Sequence, residues 1–355
     1  MKRRLAMCAA LLTVLMTLTG CWDLHDISDR TPILGVGFDY LPSGKWRITA
    51  AEATLPQGGT PTYTGVLHTG DGGTPTDAIE DLRTHLARGL YLGSAKVFVL
   101  GSGVMQGHAE EVLRMLLQRQ EVDQTGFVIG TRGTAEALFA KPDGVMGVTA
   151  VRLLKEFEVH PGTRDGEVAE PLWKTVWGVL AVGDTLRVPV FDVLPATSVA
   201  QTGVGLISGS RLRLVLDREE GATLRWLANL PGRHTLALEP PLQAYVLKMT
   251  TVHTAASYDG QARHLSLRIT AGAEAYTTPA MTLDAKLVQT LAQAAAETLT
   301  RRAVGVIQKM QAAGADGAMW REVAMQAGYF DFDIRQTSVT VQVQVHMTPK
   351  FAPTP

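Results

Sequence analysis

Cysteine, histidine, serine and paired carboxylates are the side chains that do chemistry, and this 355-residue chain uses them sparingly. Its two cysteines are too few for a disulfide framework or a cysteine-rich zinc site. Cys21, however, stands in a context that gives its thiol a task. Lys2, Arg3 and Arg4 precede an apolar run from Leu5 to Leu18, broken only by Thr, which ends Leu18-Thr19-Gly20-Cys21. A basic start, a short apolar stretch and small residues before a cysteine fit a signal peptide over residues 1–20 that ends in a bacterial lipobox. There the thiol takes a diacylglycerol thioether, because only cysteine offers a nucleophilic sulfur, and cleavage frees the Cys21 amine. The fourteen-residue apolar run is shorter than the ~20 residues a spanning helix needs. Cleavage also removes Cys8, leaving Cys21 as the sole cysteine of the mature chain.

The other candidates read as structure. Gly101, Gly103 and Gly107 follow an apolar run and precede a helical pattern, with Glu121 further on, as in a dinucleotide-binding turn. Their spacing, G-x-G-x-x-x-G, is one residue too long for that fingerprint, so the expectation is an ordinary strand-to-helix turn whose glycines take positive φ. The nine histidines (His25, His68, His85, His108, His160, His234, His253, His264 and His346) are scattered and form no H-E-x-x-H pair. Gly205-Leu206-Ile207-Ser208-Gly209 places its serine wrongly for a nucleophile elbow. Glu110-Glu111 and Glu219-Glu220 read as solvated charges. The residues therefore predict lipidation at Cys21 and no catalytic, cofactor or metal site.

Composition narrows the classes further. Hydrophobic residues are 46% and charged residues 19%, the balance of a chain that folds. Net charge is −1, and it becomes −4 once the three signal-peptide cations are removed. No basic field exists to bind nucleic acid.

The elements that must position these residues follow from periodicity. Ile33–Asp39 and Trp46–Ala53 read as a hairpin about Pro42-Ser43-Gly44, and Leu55–Thr76 as a loop. A helix capped by Thr74 runs to Gly89, followed by strands at Lys96–Leu100 and Phe127–Gly130. Helices are expected over His108–Arg119, from Thr134 through Ala140, and over Val148–Glu158. Such alternation argues a mixed α/β sheet with helices packed on it. Val188–Thr197, with Pro189 and Pro195, looks like a boundary. It divides an N-terminal α/β domain (21–196) from a C-terminal α/β region (197–355), in which a softer break falls near Gln243. There, Gly205–Leu216 and Leu224–Leu227 read as strands around a charged turn at Asp217–Gly221, and Leu242–Thr254 and His264–Thr270 as longer strands. A long helix should start at Thr278-Pro279 and stop at Gly314, with Leu283, Leu287, Leu291, Ala295, Leu299, Ala303 and Ile307 on its apolar stripe. Asp316 can cap a short helix ending at Gly328. In the last strand Val339, Val341, Val343, Val345 and Met347 alternate with polar residues.

Several of these segments resemble the Ger(x)C spore germination lipoproteins, the C subunits of germinant receptors. Cys21-Trp22-Asp23 behind a lipobox, then Gly35-Val36-Gly37-Phe38-Asp39, resembles the family's start. Leu92-Gly93-Ser94-Ala95-Lys96-Val97-Phe98-Val99-Leu100-Gly101 is similar to its "l-G-H-x-K-v-l-v-l-G" segment, with Ser94 where the family usually has His. Gly205–Leu227, Lys309-Met310-Gln311 with Asp316 (a "K-x-Q…D" turn), and the closing Val/Gln strand continue the likeness in order. Ser102, where Glu is common, Gly317-Ala318-Met319-Trp320 and the Lys350–Pro355 tail depart from it. The resemblance implies a non-enzymatic, lipid-anchored subunit of three α/β domains on the outer face of the inner spore membrane. Its partners would be a membrane-embedded transporter-like subunit and a larger membrane subunit, responding together to small nutrients. The rival readings are the lipid-anchored solute-binding protein of a transporter and an envelope hydrolase. The first lacks further βα repeats and a flexible linker after Cys21, and the second lacks nucleophile and metal motifs.

Overall fold

Four consecutive buried residues, Val97-Phe98-Val99-Leu100, lie at the centre of the molecule. A strand buried on both faces reads as a continuous apolar run, as in parallel sheets covered by helices. The computed structural model describes residues 30–54, 63–143, 147–159, 170–178, 185–194, 199–230, 234–276 and 284–348. Along them run β1 (Arg30–Tyr40), β2 (Trp46–Thr54), β3 (Thr64–Gly72), α1 (Pro75–Thr84), β4 (Gly89–Tyr91), β5 (Val97–Leu100), α2 (Ser102–Met105), α3 (Ala109–Gln118) and β6 (Phe127–Gly130). Next come α4 (Ala135–Ala140), the short β7 (Pro142–Asp143) and β8 (Gly147–Val148), α5 (Thr149–Val159), α6 (Leu172–Trp177), β9 (Leu186–Val193), β10 (Val199–Ser208), β11 (Arg211–Asp217) and α7 (Arg218–Leu227). The chain continues through β12 (His234–Ala237), β13 (Val246–Asp259), β14 (His264–Tyr276), α8 (Ala285–Ala313), α9 (Trp320–Gln326) and β15 (Ser338–Met347). The α/β fold class expected from the sequence is the one observed.

Two large sheets carry the fold. The first has nine strands in the order β11-β10-β9-β6-β5-β1-β2-β3, with β4 beside β1. Its middle strands β1, β5, β6 and β9 are parallel, and the outer pairs are antiparallel. Strand alternation sends Phe98 and Leu100 into one core with α1 and α3 (Ile79, Leu82, Val112, Leu113). Val97 and Val99 enter the opposite core with α4 and α5 (Leu138, Phe139, Val151, Phe157). The second sheet, β12-β13-β14-β15, is antiparallel except that β14 and β15 are parallel. Parallel neighbours need a crossover, and α8 supplies it. One core joins the sheets: Val204, Leu206 and Leu216 of β10 and β11 pack with Leu265, Leu267, Ile307, Met310 and Trp320.

Several expected elements differ. Residues 218–227 form a helix where a charged turn and a strand were expected, because Asp217 and Glu220 make a reciprocal capping box: Glu220 N–H donates to Asp217 Oδ1 at 2.9 Å, and Asp217 N–H to Glu220 Oε2 at 3.1 Å. Gly205–Leu216 is two strands, β10 and β11, turning at Gly209 (φ +55°) and Ser210 (φ +64°), the left-handed pair a tight hairpin requires. The end of the expected 55–76 loop holds β3, whose residues are exposed or half-buried apart from Gly70 and carry no apolar alternation, because it is an edge strand. The proline-marked segment 188–197 contains most of β9, buried from Leu186 to Phe191, so the division after residue 196 falls between two paired strands of one sheet. In the second sheet β13 begins at Val246, not Leu242, and β12 and the short α6 stand where no element was read. Helix α8 begins at Ala285, capped by Asp284, whose Oδ1 accepts Leu287 N–H at 2.7 Å; this is later than the expected Thr278-Pro279 start.

The terminal strand has the expected register, with Val339 through Met347 half-buried and the intervening polar residues exposed. Burial stops at half because β15 is the edge of its sheet. Val343 packs against both C-terminal cores. Val343→Asp should therefore cost about 1–3 kcal/mol and lower the melting temperature by several degrees, whereas Gln344→Asp should stay near wild type. Thermal denaturation of the two variants reads the register, and a reversed order would place the opposite face on α8.

Candidate functional site

The Gly35–Asp39 and Leu92–Gly101 segments meet in space, since β1 and β5 pair in parallel from Gly35↔Val97 to Phe38↔Leu100. At the carboxyl end of β1, Asp39 is buried and its carboxylate accepts two backbone hydrogen bonds from the first turn of α4: Ala135 N–H at 2.8 Å and Glu136 N–H at 3.1 Å. Thr134 Oγ1 accepts a third orphan donor, Ala137 N–H, at 3.1 Å. Burial pushes the Asp39 carboxyl above its ordinary value, against the lowering effect of those two amides. Arg47, opposite Asp39 in the β1–β2 register, forks onto Asp71 (2.8 and 2.9 Å) and reaches Glu136 at 3.0 Å. Asp39 thus fixes α4 on the sheet, and both its oxygens are engaged in doing so.

The glycines serve the same construction. A Cβ on Gly37 would lie 2.6 Å from Ala135 Cβ, so its absence lets α4 approach β1. A Cβ on Gly101 would collide with Asp39 Oδ1, and one on Gly103 with the Tyr40 carbonyl. None of Gly101, Gly103 and Gly107 has positive φ; at Gly101 and Gly103 the expected reason is replaced by close approach of carboxylate and backbone, while Gly107 has open space around it. The turn nevertheless lies where open α/β sheets hold ligands. The chain leaves β5 toward β6 on one side and leaves β1 toward β2 on the other, a topological switch point at the strands' carboxyl ends. A crevice of about 670 Å³ opens there, lined by Asp39, Tyr40, Ser102, Gln106, His108 and Thr134. Tyr40 stacks on His108 at 3.9 Å and meets Trp46 edge-on at 5.3 Å, closing one wall.

The other sequence-marked residues are dispersed. Cys21, with the lipobox, His25 and His160, lies outside the described residues. Among the described residues no three His, Cys, Asp or Glu side chains converge as a metal site. His68 pairs with Glu52 at 2.9 Å, and His264 bonds Ser338 at 2.8 Å. Ser208 ends β10, where its carbonyl accepts Arg213 Nε–H at 3.2 Å. Glu219 and Glu220 are paired rather than merely solvated: they bind Arg302 and Lys309 and so tie α7 to α8.

The K-x-Q…D turn marks a second organised place, and its residues act in concert. Lys309 meets Glu220, Gln311 Nε2–H donates to the Thr337 carbonyl at 2.7 Å, and Asp316 Oδ2 accepts Arg321 N–H at 2.7 Å. Beside it lies a group that sequence reasoning missed. Arg187 of β9 is buried, donating to the Gly317 carbonyl at 3.0 Å and to Glu170 Oε1 at 2.7 Å. Burial raises the Glu170 carboxyl, and the Arg187 and Lys174 charges more than offset it, leaving it below the usual range. Burial likewise pushes the Asp316 carboxyl up. Nothing local in the sequence marks Arg187, whose partners are 17 and 130 residues away.

Residues 23–163 match the family described as the spore germination protein N-terminal domain. The chain is 26% identical over 168 residues to spore germination protein B3 of Bacillus subtilis (strain 168), covering 45% of this chain and 43% of that relative. The match thus spans less than half of the relative's length. The crystal structure of the GerBC protein superposes with a TM-score of 0.57 at 14% identity, over 88% of this chain and 96% of that one, and so shares the fold. The likeness to the Ger(x)C spore germination family read from the sequence is borne out by these matches.

Two outcomes test the architecture. Gly101→Ala should cost about 2 kcal/mol or more, since it evicts Asp39 from the α4 cap. Gly107→Ala, whose Cβ would have nothing closer than 4.0 Å, should be neutral or slightly stabilising. Arg187→Met should cost about 3–5 kcal/mol by stranding the Gly317 carbonyl and leaving the largely buried Glu170 to Lys174 alone, and adding Glu170→Gln should recover part of it. Urea denaturation measures both sets, and an additive Arg187/Glu170 pair would show that the two side chains are not coupled.

Proposed function

We propose that this chain, with its spore germination N-terminal domain and the fold of the GerBC protein, is the lipid-anchored C subunit of a germinant receptor and starts germination without catalysing a reaction. The observation that carries the reading is the family match over residues 23–163, which contains the Asp39 keystone and the β1–β5 core. The arrangement of side chains is consistent with it. Asp39 is spent on capping, the serine of Gly205–Gly209 ends a strand, and the ionisable clusters hold elements together.

Membrane attachment would come from Cys21. No helix among the described residues is long and apolar enough to cross a membrane. Two acyl chains on Cys21 would hold the body at the outer face of the inner spore membrane, at ~0.8 kcal/mol per buried methylene. A transporter-like subunit and a larger membrane subunit would meet it there.

Mass spectrometry of spore inner membranes should find Cys21 as a diacylated N-terminus, and Cys21→Ala should release the protein and abolish nutrient-triggered germination. Crosslinking of the wild-type membranes should capture a multi-spanning partner subunit. A Cys21→Ala protein that stays processed, membrane-bound and active would overturn the anchoring. Normal nutrient germination in spores lacking the whole chain, with no other receptor present, would overturn the receptor role.

A further inference from the structure

At the seam between the two sheets, next to the K-x-Q…D turn, a cavity of about 320 Å³ is walled by guanidinium groups. Its lining includes Arg213 of β11, Arg321 of α9 and Arg335, together with Asp316, Asp333 and Ser208. The volume suits a small molecule, at the lower end of the range for ligand sites. The charges do not cancel. Arg335 is neutralised by Asp333 in a forked pair, Nε to Oδ1 at 3.0 Å and Nη2 to Oδ2 at 2.8 Å. Among the described residues the Arg213 side chain donates to the Ser208 carbonyl at 3.2 Å and the Arg321 side chain to the Phe332 carbonyl at 3.3 Å, while the Arg321 charge, after the Arg335 fork, also helps to hold the Asp333 carboxyl low. Among the described residues neither reaches a carboxylate within 4 Å, although most other arginines of the molecule do. Asp316 is engaged by backbone amides of its own turn, Arg321 N–H donating to Oδ2 at 2.7 Å with the Trp320 and Ala318 amides close by, so its carboxylate does not neutralise the two arginines. Two guanidinium groups, neither paired with a carboxylate among the described residues, therefore line one cavity.

We infer that this cavity is a binding site for a small oxyanion, a carboxylate or phosphate compound held between Arg213 and Arg321. Guanidinium N–H groups match such oxygens in pairs, and the partial enclosure strengthens the charge-assisted hydrogen bonds. The two arginines come from different sheets' elements, β11 and α9, so an occupied site would also clamp the seam that Arg187 forms. Unlike the receptor role, the site depends on no partner subunit and can be tested on the isolated protein.

The experiment is titration calorimetry on the full chain in detergent, with inorganic phosphate and with succinate as separate probes, each against sodium chloride at matched ionic strength. Saturable binding of either probe at millimolar concentration or tighter is expected. Arg213→Gln and Arg321→Gln should each weaken it tenfold or more, and the exposed Arg88→Gln should leave it unchanged. Thermal melts of each variant without ligand confirm that it is folded, since the affinity of each is judged on its own folded fraction. Binding of one probe alone supports the site and assigns its class. Failure of both probes to bind better than chloride, or binding that survives both arginine substitutions, would overturn it.

Discussion

The Arg187 guanidinium leaves β9 with 2% of its side chain exposed, and the relation between the two sheets depends on it. Taking a charge out of water costs several kcal/mol unless partners replace the lost hydration. Arg187 recovers part through Glu170 on its own side of the seam and part through the Gly317 carbonyl on the other. The Gly317 loop lies against Leu206, and a Cβ there would come within 2.8 Å of that side chain, so the turn after α8 is pressed directly onto β10. The contact is more than a surface patch, because the apolar cluster beneath it includes residues of β10, β11, α7, α8 and β14. Separating the C-terminal elements from the large sheet would expose this cluster and strand a buried charge together.

Asp39 plays the corresponding part within the large sheet. A buried carboxylate is tolerated there because it satisfies amides that every helix start leaves unpaired. The arrangement explains the residue types around it: glycine at 37 for the approach of α4, and glycine at 101 because the carboxylate occupies the place of a Cβ. The same backbone geometry leaves a crevice at the carboxyl ends of β1 and β5, so a structural device and a ligand-sized opening share one location. Sequence patterns that look like phosphate-binding turns can arise from this need for space alone.

What was legible in the sequence follows from which forces act locally. β6, α4 and the register of β15 matched their expected bounds closely, because apolar alternation, a threonine cap and a strict two-residue period are local signals. β3 and β9 were hidden for opposite reasons. β3 sits at a sheet edge and needs no apolar face, while β9 is buried but carries Pro189, which reads as a breaker and is accommodated because β6, on one side, pairs with β9 only at Gly130↔Val190. α7 was masked because the charges of Asp217–Glu220 look like a turn until their reciprocal hydrogen bonds are seen. At the level of sites, Cys21 is marked by its flanking residues. Arg187, Arg213 and Arg321 are not: Arg187 meets a carbonyl 130 residues away, and Arg213 and Arg321 share a cavity only because the fold brings β11 and α9 together.

Helix α8 is what makes the seam and the second sheet one mechanical unit. It runs 29 residues, about 43 Å, and its stripe changes core along its length. Leu291, Ala295 and Leu299 pack with Leu247, Ala271 and Trp226, whereas Ala303, Ile307 and Met310 pack with β10, β11 and Trp320. A helix that belongs to two cores cannot shift against one without disturbing the other, because packed interiors resist continuous deformation. Its far end is fixed by Gly314 in the left-handed conformation and by the Lys309 and Gln311 contacts, and the arginine-lined cavity begins at that same residue. The seam is therefore where the large sheet, the second sheet and the helix that serves both cores come together.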